Sequence, residues 1–419
     1  MVKIHQKFEN PLVENIHDKI SFEIDRLDLA LPQSGGPKVA VACSSRGIAD
    51  YAAIVGSTVN RLKRLHLKPI IIPAMGSHGG GSAEGQLQVL AEAGITEESM
   101  GVPVMSSLKT SPVGVTEDQL PVFIDKFACE ADYVVPVNRI KAHTMFSGEI
   151  ESGLMKMLAI GLGNKKGPGL YHKAAFNLGF EHVIRTVART VMSVVKILFG
   201  VAVIENGYCR PARIGVFESD QIEAMEKRYL LEAKRLEARL PLNEIDLLIV
   251  DEMGKDISGA GIDCNVVGRI DMPLLTENPP DPSIKRIVVC DLTQKSEGNA
   301  IGVGLADFIT RKLADKIDMD AMYVNAMAAS DPEHVRIPMI LTNDRQAIDA
   351  AISTIGMIQP ESLKIVRIQN TKQLDEIIVS EPCLEVLAGN PKITAVSEPF
   401  QLGFDADGQI EPFKASGKK

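Results

Sequence analysis

The sequence predicts an α/β protein built as two domains with mostly parallel sheets. Three observations point that way. Short β-rich runs alternate with helix-length amphipathic runs along most of the chain, the rhythm of strands joined by helical crossovers. The 419 residues suffice for two domains or so, each with a real core. A hydrophobic share of 45% is too high for a disordered chain.

The first strand is 38–43 (KVAVAC). It is followed by a helix over 50–65, where Tyr51, Ile54, Val55, Val59, Leu62 and Leu65 recur at helical spacing. A strand at 69–74 (PIIIPA), a helix at 82–93 and a strand at 132–137 (DYVVPV) continue the alternation. The run 181–199 reads as one strongly apolar helix, with Ile184, Val187, Val191, Val194, Val195 and Leu198 on one face. A charged amphipathic helix spans 224–240 and ends at Pro241. The βα rhythm then restarts with strands at 245–250 and 286–290, a helix at 299–317 and a strand at 363–368. The expected organisation is an N-terminal domain over 1–240 and a C-terminal domain over 241–400, with the active site in the cleft between them. The Gly/Asp/Lys-rich tail, 401–419, is expected to return to the N-terminal domain.

Composition removes several function classes. A net charge of −9 and an aromatic share of 5% without Trp argue against nucleic-acid binding, which needs basic surface and stacking platforms. The N-terminus has no apolar core of a signal peptide. The most apolar stretch, 187–204, is interrupted by Arg189, Lys196 and Gly200, so it reads as a helix and a strand rather than a membrane span. The six cysteines include no C-x-x-C pair, which argues against a zinc knuckle, an iron–sulfur motif or a disulfide framework. The expected location is the cytoplasm.

Ligands of parallel α/β sheets bind outside the carboxyl ends of the strands, and right-handed crossovers bring those ends to one edge. Three loops qualify. One carries Ser44, Ser45 and Arg46; a second reads MGSHGGG and carries His78; a third reads NRIKAH and carries Arg139, Lys141 and His143. Taken singly, a loop histidine or arginine is ordinarily a surface group, and the glycine run is a turn that can also form an anion-binding nest. Their repetition after three successive strands indicates a small anionic ligand, and Arg139 or Lys141 offers a contact for a second anionic group. Lys156 lies among Leu154, Met155, Met157 and Leu158. Such a lysine either snorkels from a helix face or has a lowered pKa and acts as a nucleophile. No G-x-G-x-x-G is present, so no dinucleotide site is expected. His172 alone is as readily structural as metal-ligating.

Arg46, His78, His143, Lys156 and His172 follow one another at intervals of 32, 65, 13 and 16 residues, within the phrases Gly76-Ser77-His78 and Ser152-Gly153-Leu154-Met155-Lys156. In this series the chain resembles the nickel-pincer lactate racemase family, over roughly residues 40–175. The resemblance implies a pyridinium mononucleotide bearing a thioamide and a thiocarboxylate, with nickel held in a sulfur–carbon–sulfur pincer. Lys156 would join it covalently, Ser45 and Gly153 would contact it, and His172 would complete the nickel sphere. His78 and His143 would be the paired acid and base, and Arg46 would hold the substrate carboxylate. The implied reaction takes hydride from Cα to the bound group and returns it to the other face, while imidazoles of ordinary pKa about 6.5 move the hydroxyl proton. Cys43 stands where those racemases have an acidic residue, and Leu154 where they have a glycine, so the implied substrate is a 2-hydroxy acid not tied to lactate. The loop after 245–250, with Asp251, Lys255, Asp256 and Asn265, is the candidate for further substrate contacts, Lys255 foremost. Cofactor-synthesis and insertion proteins are the implied partners.

Two other readings stay open on the residues alone. A lyase or hydrolase would use His78 and His143 around a divalent metal, with Glu149 and Glu151 the nearest carboxylates. A non-catalytic carrier of the pincer nucleotide would need Lys156 and His172 but neither of the other histidines.

Overall fold

The computed structural model describes residues 1–29, 31–32, 35–45, 47–76, 78–271 and 281–413. The chain divides into two compact α/β units, one of Asn10–Glu237 and the other of Met1–Glu9 with the chain from Ala238 on. Both sheets are mostly parallel, as the alternating runs predict.

The Asn10–Glu237 unit has a five-stranded sheet in the order Lys68–Pro73, Lys38–Cys43, Tyr133–Arg139, Gly200–Glu205, Pro211–Phe217. The first four strands are parallel and the last returns antiparallel. Residues 39 to 43 of the second strand in that order, Lys38–Cys43, are all fully buried, which is why that strand reads as an unbroken apolar run rather than an alternating one. Alternate residues feed two cores. Ala40, Ala42, Ile70, Ile72 and Val134 face one, under the helices Phe180–Val194 and Ile222–Leu236. Val39, Val41, Ile71, Val135 and Val201 face the other, under Ile16–Asp25, Tyr51–Arg64 and Ala83–Glu92. Cys43 pairs in register with both Pro73 and Val137, so three loops leave the sheet side by side.

The second sheet has eight strands in the order Met339–Leu341, Phe308–Thr310, Ser283–Val289, Glu244–Val250, Ile365–Ile368, Glu376–Val379, Val2–Gln6, Ile393–Ala395. The first five are parallel and the remainder pair antiparallel.

Several expectations are corrected. Val2–Gln6 belongs to the second sheet rather than to an N-terminal domain starting at residue 1; the strand is five residues long, too short to show a period. The described part of the tail bonds to the second unit: Ile410 N–H donates to Asp344 (2.8 Å), Arg367 donates to Glu411 O (2.7 Å), and Asn343 donates to Asp407 O (2.8 Å). The run 181–199 is not one helix. The helix ends at Val194, Val195 is extended, and the apolar sequence continues into the strand Gly200–Glu205. The run 299–317 is a strand, Phe308–Thr310, between short helical turns. Gly302 is left-handed (φ 93°) and a Cβ there would collide with Ala260 O, which stops any helix at that point. The hairpin of Thr110–Val115 and Pro121–Asp125 was not foreseen, since Pro112 and Gly114 obscure its pattern. Among the described residues, no helix is long and apolar enough to cross a membrane.

Candidate active site

The strand Tyr133–Arg139 sets the site's first element. Its period of two carries on to residue 143: Ile140 and Ala142 are buried, while Arg139, Lys141 and His143 take the alternate positions and are half-buried. Lys141 and Ser152 then pair as an antiparallel bridge, with N–H···O distances of 2.9 and 3.3 Å, closing the loop between them. Inside that loop Glu151 is buried and accepts four hydrogen bonds: from the His143 amide (2.6 Å), the Gly148 amide (2.9 Å), Ser147 Oγ (3.4 Å) and Lys234 Nζ (2.5 Å). A buried carboxylate needs that many donors, and supplying them fixes the backbone of His143. A row of rings joins the two histidines. His143 lies 4.4 Å from Phe146, Phe146 stacks on Phe180 at 5.2 Å, and Phe180 meets His172 edge-on at 6.1 Å.

Lys156 stands on a short helix, Leu154–Lys156, that widens at once into a π-helical turn, Met157–Gly161. Such widened turns are frequent at functional sites. Two side chains pin its start: Asn138 Nδ2 donates to Gly153 O (2.7 Å), and Glu226 Oε2 accepts from the Met155 amide (2.9 Å). A Cβ on Gly153 would collide with the Glu226 carboxyl, so this position requires glycine for close approach. The turn also holds the neighbouring loop, since the Gly76 amide donates to Gly161 O (3.1 Å). His78, exposed, rides on that loop just before the Gly79–Gly81 turn. His172 is half-buried on the helix Lys166–Leu178.

Burial and then the Lys141 ammonium lower the Lys156 amine to about 8, against a smaller opposing effect of Glu151. Burial first, and then Lys156, Lys141 and His172, hold the His143 imidazole well below its ordinary range. Lys141, Lys156 and His172 thus each lie within electrostatic reach of His143. The Met145 amide donates to His143 Nδ1 (3.0 Å), so the neutral ring carries its proton on Nε2.

The other expected residues fall as follows. Arg46 lies outside the described residues. Ser45 is half-buried just past the strand Lys38–Cys43, in a loop held by Tyr51, whose hydroxyl accepts from the Ser44 amide (2.6 Å) and donates to Val137 O (2.7 Å). Arg139, expected as a possible second anion contact, instead forms an ion pair with Glu205 and donates to Gly47 O (2.6 Å). Lys255 belongs to the other unit, where its Nζ donates to Gly259 O (2.6 Å) and its amide to Ser296 Oγ (2.9 Å). Nearby, Asp251 binds Arg367 through two hydrogen bonds of 2.7 and 2.8 Å, and Asp256 accepts from Thr293 (2.6 Å). Asn265 donates its amide to Asp263, which caps the short helix Cys264–Val267. Glu149 is exposed and paired with Lys227 (2.5 Å), so both carboxylates that a metal-dependent lyase would recruit are engaged by protein donors. One group of three potential metal ligands occurs among the described residues, Glu117, Asp118 and His182. It lies at the hairpin turn and does not include His172.

Sequence reading missed Glu226, Lys234, Phe146 and Asn138, and gave Glu151 a different role. Glu226 left one signal. It occupies the buried phase of an amphipathic helix, in line with Ile222, Tyr229, Leu230 and Ala233, where a carboxylate is out of place without a donor to bind.

No protein-family model matches the sequence, and no curated protein matches it. Among solved structures, the fold is similar to the lactate racemase apoprotein from Thermoanaerobacterium thermosaccharolyticum, with a TM-score of 0.53 and 10% identity over 89% of this chain and 99% of that one. A protein from Thermotoga maritima aligns with a TM-score of 0.48 and 14% identity over 88% of this chain and 99% of that one. At 10% identity the likeness to the racemase apoprotein is one of fold.

Proposed function

We propose that the protein is an isomerase that racemises or epimerises a 2-hydroxy acid, with a nickel-pincer nucleotide attached to Lys156. The observation that carries this reading is the buried Lys156 amine, held on a π-helical turn that Asn138 and Glu226 pin, within electrostatic reach of His143 and lowered to about 8. About a tenth of such an amine is neutral at pH 7, a usable fraction for forming a covalent bond. The residues present fit the group chemically. Lys156 offers the attachment point, the His172 imidazole suits nickel, and the surrounding positive charge suits an anionic nucleotide. When bound, the group supplies an acceptor for the hydrogen of the substrate's Cα.

The chain's own residues supply the remainder. Lys141 and Lys156 repel a proton from His143 in the free protein. A substrate carboxylate entering this field offsets the repulsion and brings His143 back towards the range where imidazole exchanges protons. Its Nε2 is the atom that faces the reaction, because Nδ1 is engaged by the Met145 amide. His78 is assigned the second proton-transfer role, as a racemase must serve both faces of one carbon, and Arg46 the substrate carboxylate.

The test is intact mass and nickel analysis of the protein made together with the cofactor-synthesis proteins. An adduct on Lys156 with about one nickel per chain supports the reading, and absence of both overturns it. Chiral chromatography with a panel of 2-hydroxy acids reads the reaction. His143→Ala is expected to abolish turnover with the adduct intact, and retained racemisation would remove His143 from the mechanism.

A further inference from the structure

One helix fixes the whole segment that carries His143 and Lys156. Along Ile222–Leu236, Glu226 accepts from the Met155 amide (2.9 Å), Lys227 donates to Glu149 (2.5 Å) and Lys234 donates to Glu151 (2.5 Å). Glu237, just past the helix end, accepts from the Ala142 amide (3.0 Å). Residues 142, 149, 151 and 155 are therefore held by three side chains spaced along one helix and a fourth just beyond its end. A site is presented most reproducibly when its support is a regular element rather than a loop.

Glu226 differs from the other three. It is fully buried, whereas Lys227, Lys234 and Glu237 are half-buried. Among the described residues its Oε1 has no hydrogen-bond partner, and the carboxyl lies against Gly153 at the start of the Lys156 turn. An acid with one oxygen bound to an amide and the other enclosed without a donor is strained when charged, and when neutral it loses charge assistance to the amide.

We propose that Glu226 is a positioning residue for Lys156: its carboxyl grips the first turn of the lysine's helix, and gain or loss of its proton changes where the Lys156 amine stands. The two states lie close in free energy around neutrality, because burial pushes Glu226 up to about 7 against the opposing pull of the Met155 and Leu154 amides. Its charged neighbours have been accounted for. Glu223, one turn earlier on the same helix, is held by Arg185 and Arg189 from the helix Phe180–Val194, at 2.8 Å each. The strand Gly200–Glu205 ends in Glu205, which is paired with Arg139. Lys156 follows on the gripped turn. The consequence for catalysis rests on the racemase reading, but the geometry and its test do not.

The experiment uses the full chain without cofactor. Trace acetylation with acetic anhydride is followed at Lys156 by peptide mass spectrometry from pH 5.5 to 9.5. The wild-type profile is expected to show two steps, one near 8 from the amine and one near 7 that changes the reactivity at least twofold. Glu226→Gln, which keeps an oxygen for the Met155 amide, is expected to keep the first step and lose the second. A purely structural hydrogen bond would leave the wild type with one step. A single-step wild-type profile overturns the proposal even if the variant does not fold, as does a Gln variant that keeps both steps. An absent mass adduct would sink the racemase reading and leave this profile standing, whereas a one-step profile would sink the positioning role and leave the adduct standing.

Discussion

His143, half-buried, and His334, fully buried, lie one in each unit, and they are pushed in opposite directions. Burial favours the neutral ring in both. At His143 the neighbours are Lys156, Lys141 and His172, and they add to the effect of burial. At His334 the neighbours are Asp331, whose Oδ2 lies 2.8 Å from Nδ1, and Ile270 O, 2.5 Å from Nε2; they outweigh burial and raise the pKa. Both nitrogens of His334 face acceptors, so its proton is held as part of the fold. Around His143 the neighbouring charges are of like sign and add to the effect of burial. The lesson is that depth alone does not set a histidine's charge; the sign of its neighbours decides the direction.

The sharpest way to break this comparison is to remove His334's partner. Asp331→Ala takes away the carboxylate nearest a buried imidazole and should cost about 3–5 kcal/mol in urea unfolding. A raised folded pKa stabilises fully below the unfolded value of about 6.5 and loses that contribution as pH rises through the folded value. The wild type should therefore lose stability on that rise, and Asp331→Ala should lose this dependence. Stability unchanged by the substitution would show that Asp331 does not set the direction at His334.

Next in size is Glu151→Ala, which removes the acceptor from two amides and from Lys234. We expect a loss of about 2–4 kcal/mol and faster hydrogen exchange at the His143 and Gly148 amides, and exchange at the wild-type rate would deny Glu151 its part in shaping the loop. Gly153→Ala places a methyl against the Glu226 carboxyl and should cost about 1–3 kcal/mol, read by the same unfolding curves. The smallest effect sharpens the comparison most directly. Lys141→Gln removes one like charge, so His143 and Lys156 should both titrate higher, followed by NMR for the ring and by acetylation for the amine. A fall in either would contradict the electrostatic account.

The sequence made the sheet of the first unit legible because its central strands are buried on both faces and read as unbroken apolar runs. In it, His78 and His143 stand out as candidates because they follow strand ends, Lys156 because it interrupts an apolar run, and His172 only through its place in the series. What it hid were contacts made across long separations. Glu226 meets Met155 over 71 residues and Lys234 meets Glu151 over 83, and no local period encodes either. Arg139 was misjudged for a related reason: its partner, Glu205, lies 66 residues on, at the end of the adjoining strand. The short strand Phe308–Thr310 was taken for helix because three residues cannot display alternation.

The strand Val2–Gln6 lies between Glu376–Val379 and Ile393–Ala395, which ties the fold to the order of synthesis. The unit carrying the lysine and histidines is an uninterrupted stretch, Asn10–Glu237, and all its strands have been translated while much of the chain is still to come. The other sheet must hold its earliest strand in reserve until its last one is translated. During that interval Val2–Gln6 is an edge without neighbours, and such edges invite the wrong partner. Any chaperone demand of this chain should therefore centre on its first few residues, long after they are made.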